Sequence, residues 1–139
     1  MTSSFGTRMR RKLFGTRARL NDYELILMDA IKAKLASPQQ IALDQRLEAI
    51  SSVRRLDGGR EVDCYQSRRG EIVLDASHRL TGTTGEEELA RFRIEGPDGT
   101  SNEGTVWLVN GVFFSMEFKR PTEHADAALI RDVRVELKI

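Results

Sequence analysis

Between Thr105 and Phe118 the chain reads TVWLVNGVFFSMEF, and no other stretch restricts the fold as much. Two apolar, alternating runs flank Asn110-Gly111, a dipeptide that readily takes the two positive φ values of a type I′ turn. The pattern predicts a two-residue hairpin in which Val109 faces Val112, Leu108 faces Phe113 and Trp107 faces Phe114. Alternation then gathers Trp107, Val109, Val112, Phe114, Met116 and Phe118 on one face, the expected core. The other face starts with Val106, Leu108 and Phe113 near the turn and ends with Ser115, Glu117 and Lys119. A hairpin that is apolar on both faces at one end needs a second cover there. One reading supplies it from a helix or the C-terminal segment. The other supplies it from a protein partner or a second copy of the chain, with Val106, Leu108 and Phe113 as the anchors.

Helical patterns come first in the chain and strand patterns follow. Asn21 or Asp22 can cap a helix running to about residue 36, with Tyr23, Ile26, Leu27, Ala30, Ile31 and Leu35 on one side. Ser37-Pro38-Gln39-Gln40 reads as a restart, with Ser37 as the cap, Pro38 in the first helical position and Gln40 closing a capping box. The second helix should reach about Ile50 and turn Leu43, Leu47 and Ile50 to the core. From Ser51 the period becomes two. A hairpin is expected from residues 51–56 and 60–66 about Asp57-Gly58-Gly59, then a short strand at 71–75 and a polar loop at 76–87. Residues 88–95 alternate Leu89, Arg91 and Arg93 with Ala90, Phe92 and Ile94, so this strand should have one wet face. A loop at 96–104 and a final strand at 133–139 complete the pattern. Helices followed by antiparallel strands define an α+β domain. The expectation is two helices packed on an antiparallel sheet of about five to six strands. Residues 21–139 would form it as one domain, preceded by a basic arm at 1–20.

In this order of parts the chain resembles a type of short bacterial α+β protein of unknown function. The pieces that carry the likeness are RRLDGGREVDCY, RFRIEGPDGT, TVWLVNGVFFSMEF and the closing RVEL, across about residues 21–139. The resemblance implies a small domain without known catalytic residues. Some proteins of this type are taken for interaction or toxin-immunity modules.

The arm stands outside that likeness. It repeats FGTR at residues 5–8 and 14–17, and holds Arg8, Arg10, Arg11, Lys12, Arg17 and Arg19 without one acid. That leaves 16 of the 22 basic residues against all 21 acidic ones in the rest of the chain. A basic arm on an acidic body suits charged partners, or the body itself. The arm reads most simply as a flexible tail, or as an upstream extension of a frame starting at Met9. Nucleic acid is the next reading, since guanidinium groups meet phosphates and phenylalanine stacks on unpaired bases. Six phosphate contacts would give a salt slope of about −5 at ~0.9 per contact. A targeting segment or a thin membrane-surface anchor are further readings. Equivalent residues nine apart advance about 900° on a helix, half a turn out of phase, which favours an extended arm.

Chemistry is sparse. Asp75, Ser77 and His78 are close in sequence but immediate neighbours rarely converge as a triad. Glu123, His124 and Asp126 suit the cap of a short helix through Ala125 to Ile130 better than a metal site. Gly82 and Gly85 lead into Glu86, Glu87 and Glu88, which repel phosphate and read as a solvated loop or helix start with Thr84 as a cap. The lone Cys64 cannot form an internal disulfide and falls on a strand, where a buried inert thiol is the default. No apolar run reaches the ~20 residues of a membrane helix. The reading is a cytoplasmic, non-enzymatic protein-binding domain of adaptor or immunity type, without cofactor. Its rival is a nucleic-acid-associated protein using the arm.

Overall fold

The structure, a computed structural model, describes residues 19–139. The FGTR repeat and Arg8, Arg10, Arg11, Lys12 and Arg17 lie outside the described residues. Helix α1 (Asp22–Lys32) starts on a full capping box. The Glu24 amide donates to the Asn21 side chain at 2.9 Å, and the Asn21 amide donates to the Glu24 carboxylate at 2.8 Å. Helix α2 (Ser37–Ala49) begins one residue before its Ser-Pro signal implies, with Ala36 as the cap. Gln39 supplies the acceptor for the Ala36 amide, at 3.2 Å. Gln40, expected to close that box, instead donates to the Lys32 carbonyl at 3.0 Å. It thereby satisfies one of the open acceptors where α1 ends, four residues short of the expected 36.

Seven strands follow: β1 (Ser52–Leu56), β2 (Glu61–Arg68), β3 (Glu71–Val73), β4 (Glu86–Glu95), β5 (Ser101–Val109), β6 (Val112–Phe118) and β7 (Asp132–Leu137). They pair in the order β1-β2-β6-β5-β4-β7, with β3 added on β2, and every pairing is antiparallel. The architecture is therefore α+β, two helices followed by one antiparallel sheet. The strand at 86 replaces the expected helix or loop start at Glu86–Glu88, and Glu87 there accepts from the Thr81 hydroxyl at 2.7 Å. β5 takes up Ser101 to Gly104, which the sequence assigned to a loop.

Leu27, Met28 and Ile31 of α1 and Leu43 of α2 join Val62, Cys64, Phe92, Ile94, Val106, Leu108, Phe113 and Met116 in one apolar cluster. All these strand residues belong to one face of the sheet, so both helices cover that face. Asn110 and Gly111 take φ of 50° and 79°, as a type I′ turn requires. Beyond the turn the expected register fails. Leu108 faces Phe113, but Trp107 then faces Ser115 and Val106 faces Met116, so Phe114 is an extra residue in β6. One inserted residue exchanges the faces of everything after it. Trp107 and Phe114 leave the expected core face for the opposite side.

The expected anchors are not exposed either. Val106, Leu108 and Phe113 are each 0% exposed in the cluster under the helices, so the cover is internal. They are packing residues, of the kind whose truncation costs about 2–5 kcal/mol. A second bulge, between Glu88 and Ala90, lets Leu89 bury alongside Ala90, where strict alternation had placed it on the wet face.

Two charged side chains of the helices, Glu24 and Arg46, are wholly buried among the described residues. β2 gives Glu61–Asp63 to β6 and Gln66–Arg68 to β3, leaving a gap on that flank at Cys64 and Tyr65. Arg46 of α2, 0% exposed, fills the gap. Its Nε donates to the Phe113 carbonyl at 2.9 Å, Nη2 to the Cys64 carbonyl at 3.1 Å and Nη1 to Gln66 Oε1 at 3.5 Å. Buried carbonyls at a split ladder must find donors, and one guanidinium serves both strands. Burial pulls the Arg46 guanidinium below its ordinary pKa.

Candidate functional site

The second face of the sheet has no helix over it among the described residues. Alternation places Glu61, Asp63 and Tyr65 of β2, Ser115 and Glu117 of β6 and Trp107 of β5 on that face, opposite Val62, Cys64 and Met116. The bulge adds Phe114 to it, and its ring meets Tyr65 edge-on, with centroids 5.4 Å apart and an interplanar angle of 82°. Trp107 Nε1 donates to Glu117 Oε1 at 3.0 Å, which fixes the indole beside a carboxylate. The result is an aromatic strip, half-exposed, bordered by acids.

Asp63 sits at the centre of the acids. It faces Arg54 on β1 and Ser115 on β6, and Glu61 faces Glu117 across the same pair of strands. Burial, a hydrogen bond with Glu61 and the negative charges of Glu61 and Glu117 push its carboxyl up to about 6, with Arg54 opposing them. Toward β7 the face changes character. Arg93 pairs with Glu103 at 2.8 Å and with Glu95 at 3.3 Å, and Arg91 pairs with Glu88 at 2.8 Å. That half is a lattice of exposed, mutually neutralised charges, each pair worth little.

A separate cleft of about 780 Å³ lies between the start of α1, the turn at Asp57–Gly59 and the loop after β6. Arg55 stands on its wall and makes a bidentate pair with the wholly buried Glu24, Nε to Oε2 at 2.9 Å and Nη2 to Oε1 at 2.6 Å. Its Nη2 also donates to the Arg19 carbonyl at 2.8 Å. Arg19, the one arm cation among the described residues, lines this cleft with Asp22, Glu123 and Asp126.

Asp75 and Ser77 form a local turn cap. Asp75 accepts from the Ser77 amide at 2.9 Å and the Ser77 hydroxyl at 2.8 Å, and Arg68 Nη2 reaches it at 3.1 Å. The two Ser77 bonds and the Arg68 bond hold the Asp75 carboxyl well below the usual range. The Ser77 hydroxyl thus donates to the acid and not to an imidazole, so this is a turn cap and not an activated nucleophile. His78 is buried with Nε2 4.0 Å from Asp75, and its Nδ1 finds no hydrogen-bond partner among the described residues. His124 is 93% exposed. Asp126 caps a single 3-10 turn, Ala127–Leu129, shorter than the helix expected there. No three His, Cys, Asp or Glu side chains stand together as a metal site among the described residues. Burial pushes the Cys64 thiol up to about 12, beyond reactivity at neutral pH. No helix among the described residues is long and apolar enough to cross a membrane.

Comparison with protein-family models, with curated proteins and with solved structures found no match to this chain.

Sequence reasoning missed the aromatic strip because the Asn-Gly rule sets the register only at the turn. Glu61, Asp63 and Tyr65 were legible, since they alternate with Val62, Cys64 and Gln66.

Proposed function

We propose that the chain is a non-enzymatic protein-binding domain, of adaptor or immunity type, that takes a basic segment of a protein partner on the open face of its sheet. The observation that carries this reading is the strip of Tyr65, Phe114 and Trp107 set against Glu61, Asp63 and Glu117 on a face that no helix covers among the described residues. Tyrosine, tryptophan and phenylalanine are enriched at interfaces and present a face to cations, while the carboxylates give a basic partner its counter-charge. The same carboxylates would repel a phosphate backbone, which confines the nucleic-acid reading to Arg19 and the arm before it.

Affinity capture with three proteins tests the reading: the wild type, a Trp107→Ala/Glu117→Gln double variant, and a control changed at the exposed Asp44 of α2. A protein held by wild type and control and released by the double variant, with circular dichroism unchanged, supports the open face. Equal capture by all three, or salt-sensitive capture of nucleic acid alone, overturns it.

A further inference from the structure

The sheet ends on one side at β7, which among the described residues pairs only with β4. The phase of that ladder follows from the Lys138 amide donating to the Leu89 carbonyl at 2.9 Å. Hydrogen-bonded pairs alternate along an antiparallel ladder, so the backbone groups of Arg134 and Glu136 also turn toward β4. Those of Val133, Val135 and Leu137 turn to the open edge. Any added strand must bond to these three residues.

The side chains then select the strand. Asp132, Arg134, Glu136 and Lys138 alternate in sign along the outer face, while Val133, Val135 and Leu137 point to the helix side and pack on the core. We propose that β7 pairs with β7 of a second copy of this chain, antiparallel about a two-fold axis, with Val135 opposite Val135. In that register Arg134 faces the second copy's Glu136 and Asp132 faces its Lys138, each pair occurring twice by symmetry. On the other face Val133 meets Leu137 and the two Val135 side chains meet each other, extending the apolar layer. The two neighbouring registers that satisfy the same backbone groups are disfavoured by charge. One sets Arg134 against Arg134 and Asp132 against Glu136. The other sets Glu136 against Glu136 and Arg134 against Lys138. Like charges directly opposite are unfavourable by roughly a fraction of a kcal/mol per pair, and β7 already sets Arg134 opposite Arg93 and Asp132 opposite Glu95 within its own sheet, so the pattern favours one register.

Within one chain Arg134 already touches Asp132 at 3.3 Å and Lys138 touches Glu136 at 3.2 Å. Exposed pairs of this kind contribute little, so exchanging them across the axis is nearly neutral and the charges act mainly by disfavouring wrong registers. β7 also lacks the usual guards of an edge: it has no proline, no bulge and no charge pointing inward.

Sedimentation equilibrium of the full chain at low salt tests this. Arg134 and Glu136 are 68% and 70% exposed, so Arg134→Glu and Glu136→Arg should keep the fold, with an unchanged circular dichroism spectrum as the check. Wild type should form a dimer, and each single variant, which now sets like charges opposite, should associate at least tenfold more weakly. Mixing the two variants should restore a one-to-one heterodimer. One copy then carries an acid at both positions and the other an arginine at both, so every acid meets an arginine across the axis. A monomeric wild type at several hundred micromolar, or single variants that dimerise as tightly as wild type, would overturn the proposal.

Discussion

β1 and β7 close the two sides of one sheet, and they do so on opposite plans. β1 turns Arg55 inward, where it meets the buried carboxylate of Glu24 at the start of α1. An inward charge tied to a fixed partner makes that edge specific to its own chain, since an incoming strand would have to accommodate a locked guanidinium. β7 turns only Val133, Val135 and Leu137 inward and alternates its charges outward. It has the pattern of an interior strand at an exterior position. Edge status is thus set by topology, but edge behaviour by which side chains point in.

Unlocking β1 should cost the most. Arg55→Met leaves the Glu24 carboxylate buried without its cation, a loss of about 3 kcal/mol at the lower end of the range for a broken buried pair, because Arg55 is partly solvated. Urea denaturation measures it, and a loss below ~1 kcal/mol would mean that β1 is held by something else. Next is Arg46→Met, which strips donors from the carbonyls of Cys64 and Phe113 and should cost about 1–3 kcal/mol. Amide exchange should show the loss in β1, β2 and β3 before it reaches β4 and β7, since Arg46 bridges the flank where β2 changes partners.

A third substitution carries the β1 device to the other edge. Val135→Lys places an inward charge on β7 and should cost about 1–2 kcal/mol while abolishing self-association in sedimentation. The smallest effect belongs to the open face. Asp63 has its carboxyl raised from 3.8 to about 6 in the folded chain, so the folded state binds a proton more readily than the unfolded state between those values. Its contribution to stability therefore improves as pH falls through 6 and levels off near 4. Asp63→Asn should raise Tm at pH 7, and the gain should fade on acidification through that window. A gain that is constant with pH would remove the charge argument.

Much of this molecule could be read before its structure. The two helices, the Asp57–Gly59 and Asn110-Gly111 turns and the strands at β2, β4 and β7 all follow from period and turn chemistry acting over a few residues. What escaped are effects that act between distant segments. The Phe114 bulge arises where β6 fits β5 and β2 at once, and nothing in FFS announces it. Arg46 reads as a surface residue on α2 until β2 is seen to change partners beneath it. Glu24 looks like an ordinary capping-box residue, yet it is also the buried counter-charge of Arg55, 31 residues away. The candidate site inherits these gaps, because the bulge decides that Trp107 and Phe114 face outward and that Val106, Leu108 and Phe113 do not.

The most direct test of the two edges is amide hydrogen exchange by NMR on the full chain at low and high protein concentration. The outward amides of Val133, Val135 and Leu137 should exchange quickly when dilute and become protected as concentration rises, while exchange along β1 stays the same. Protection that does not change with concentration at β7, or that appears at β1 instead, would contradict the contrast between a locked edge and an open one.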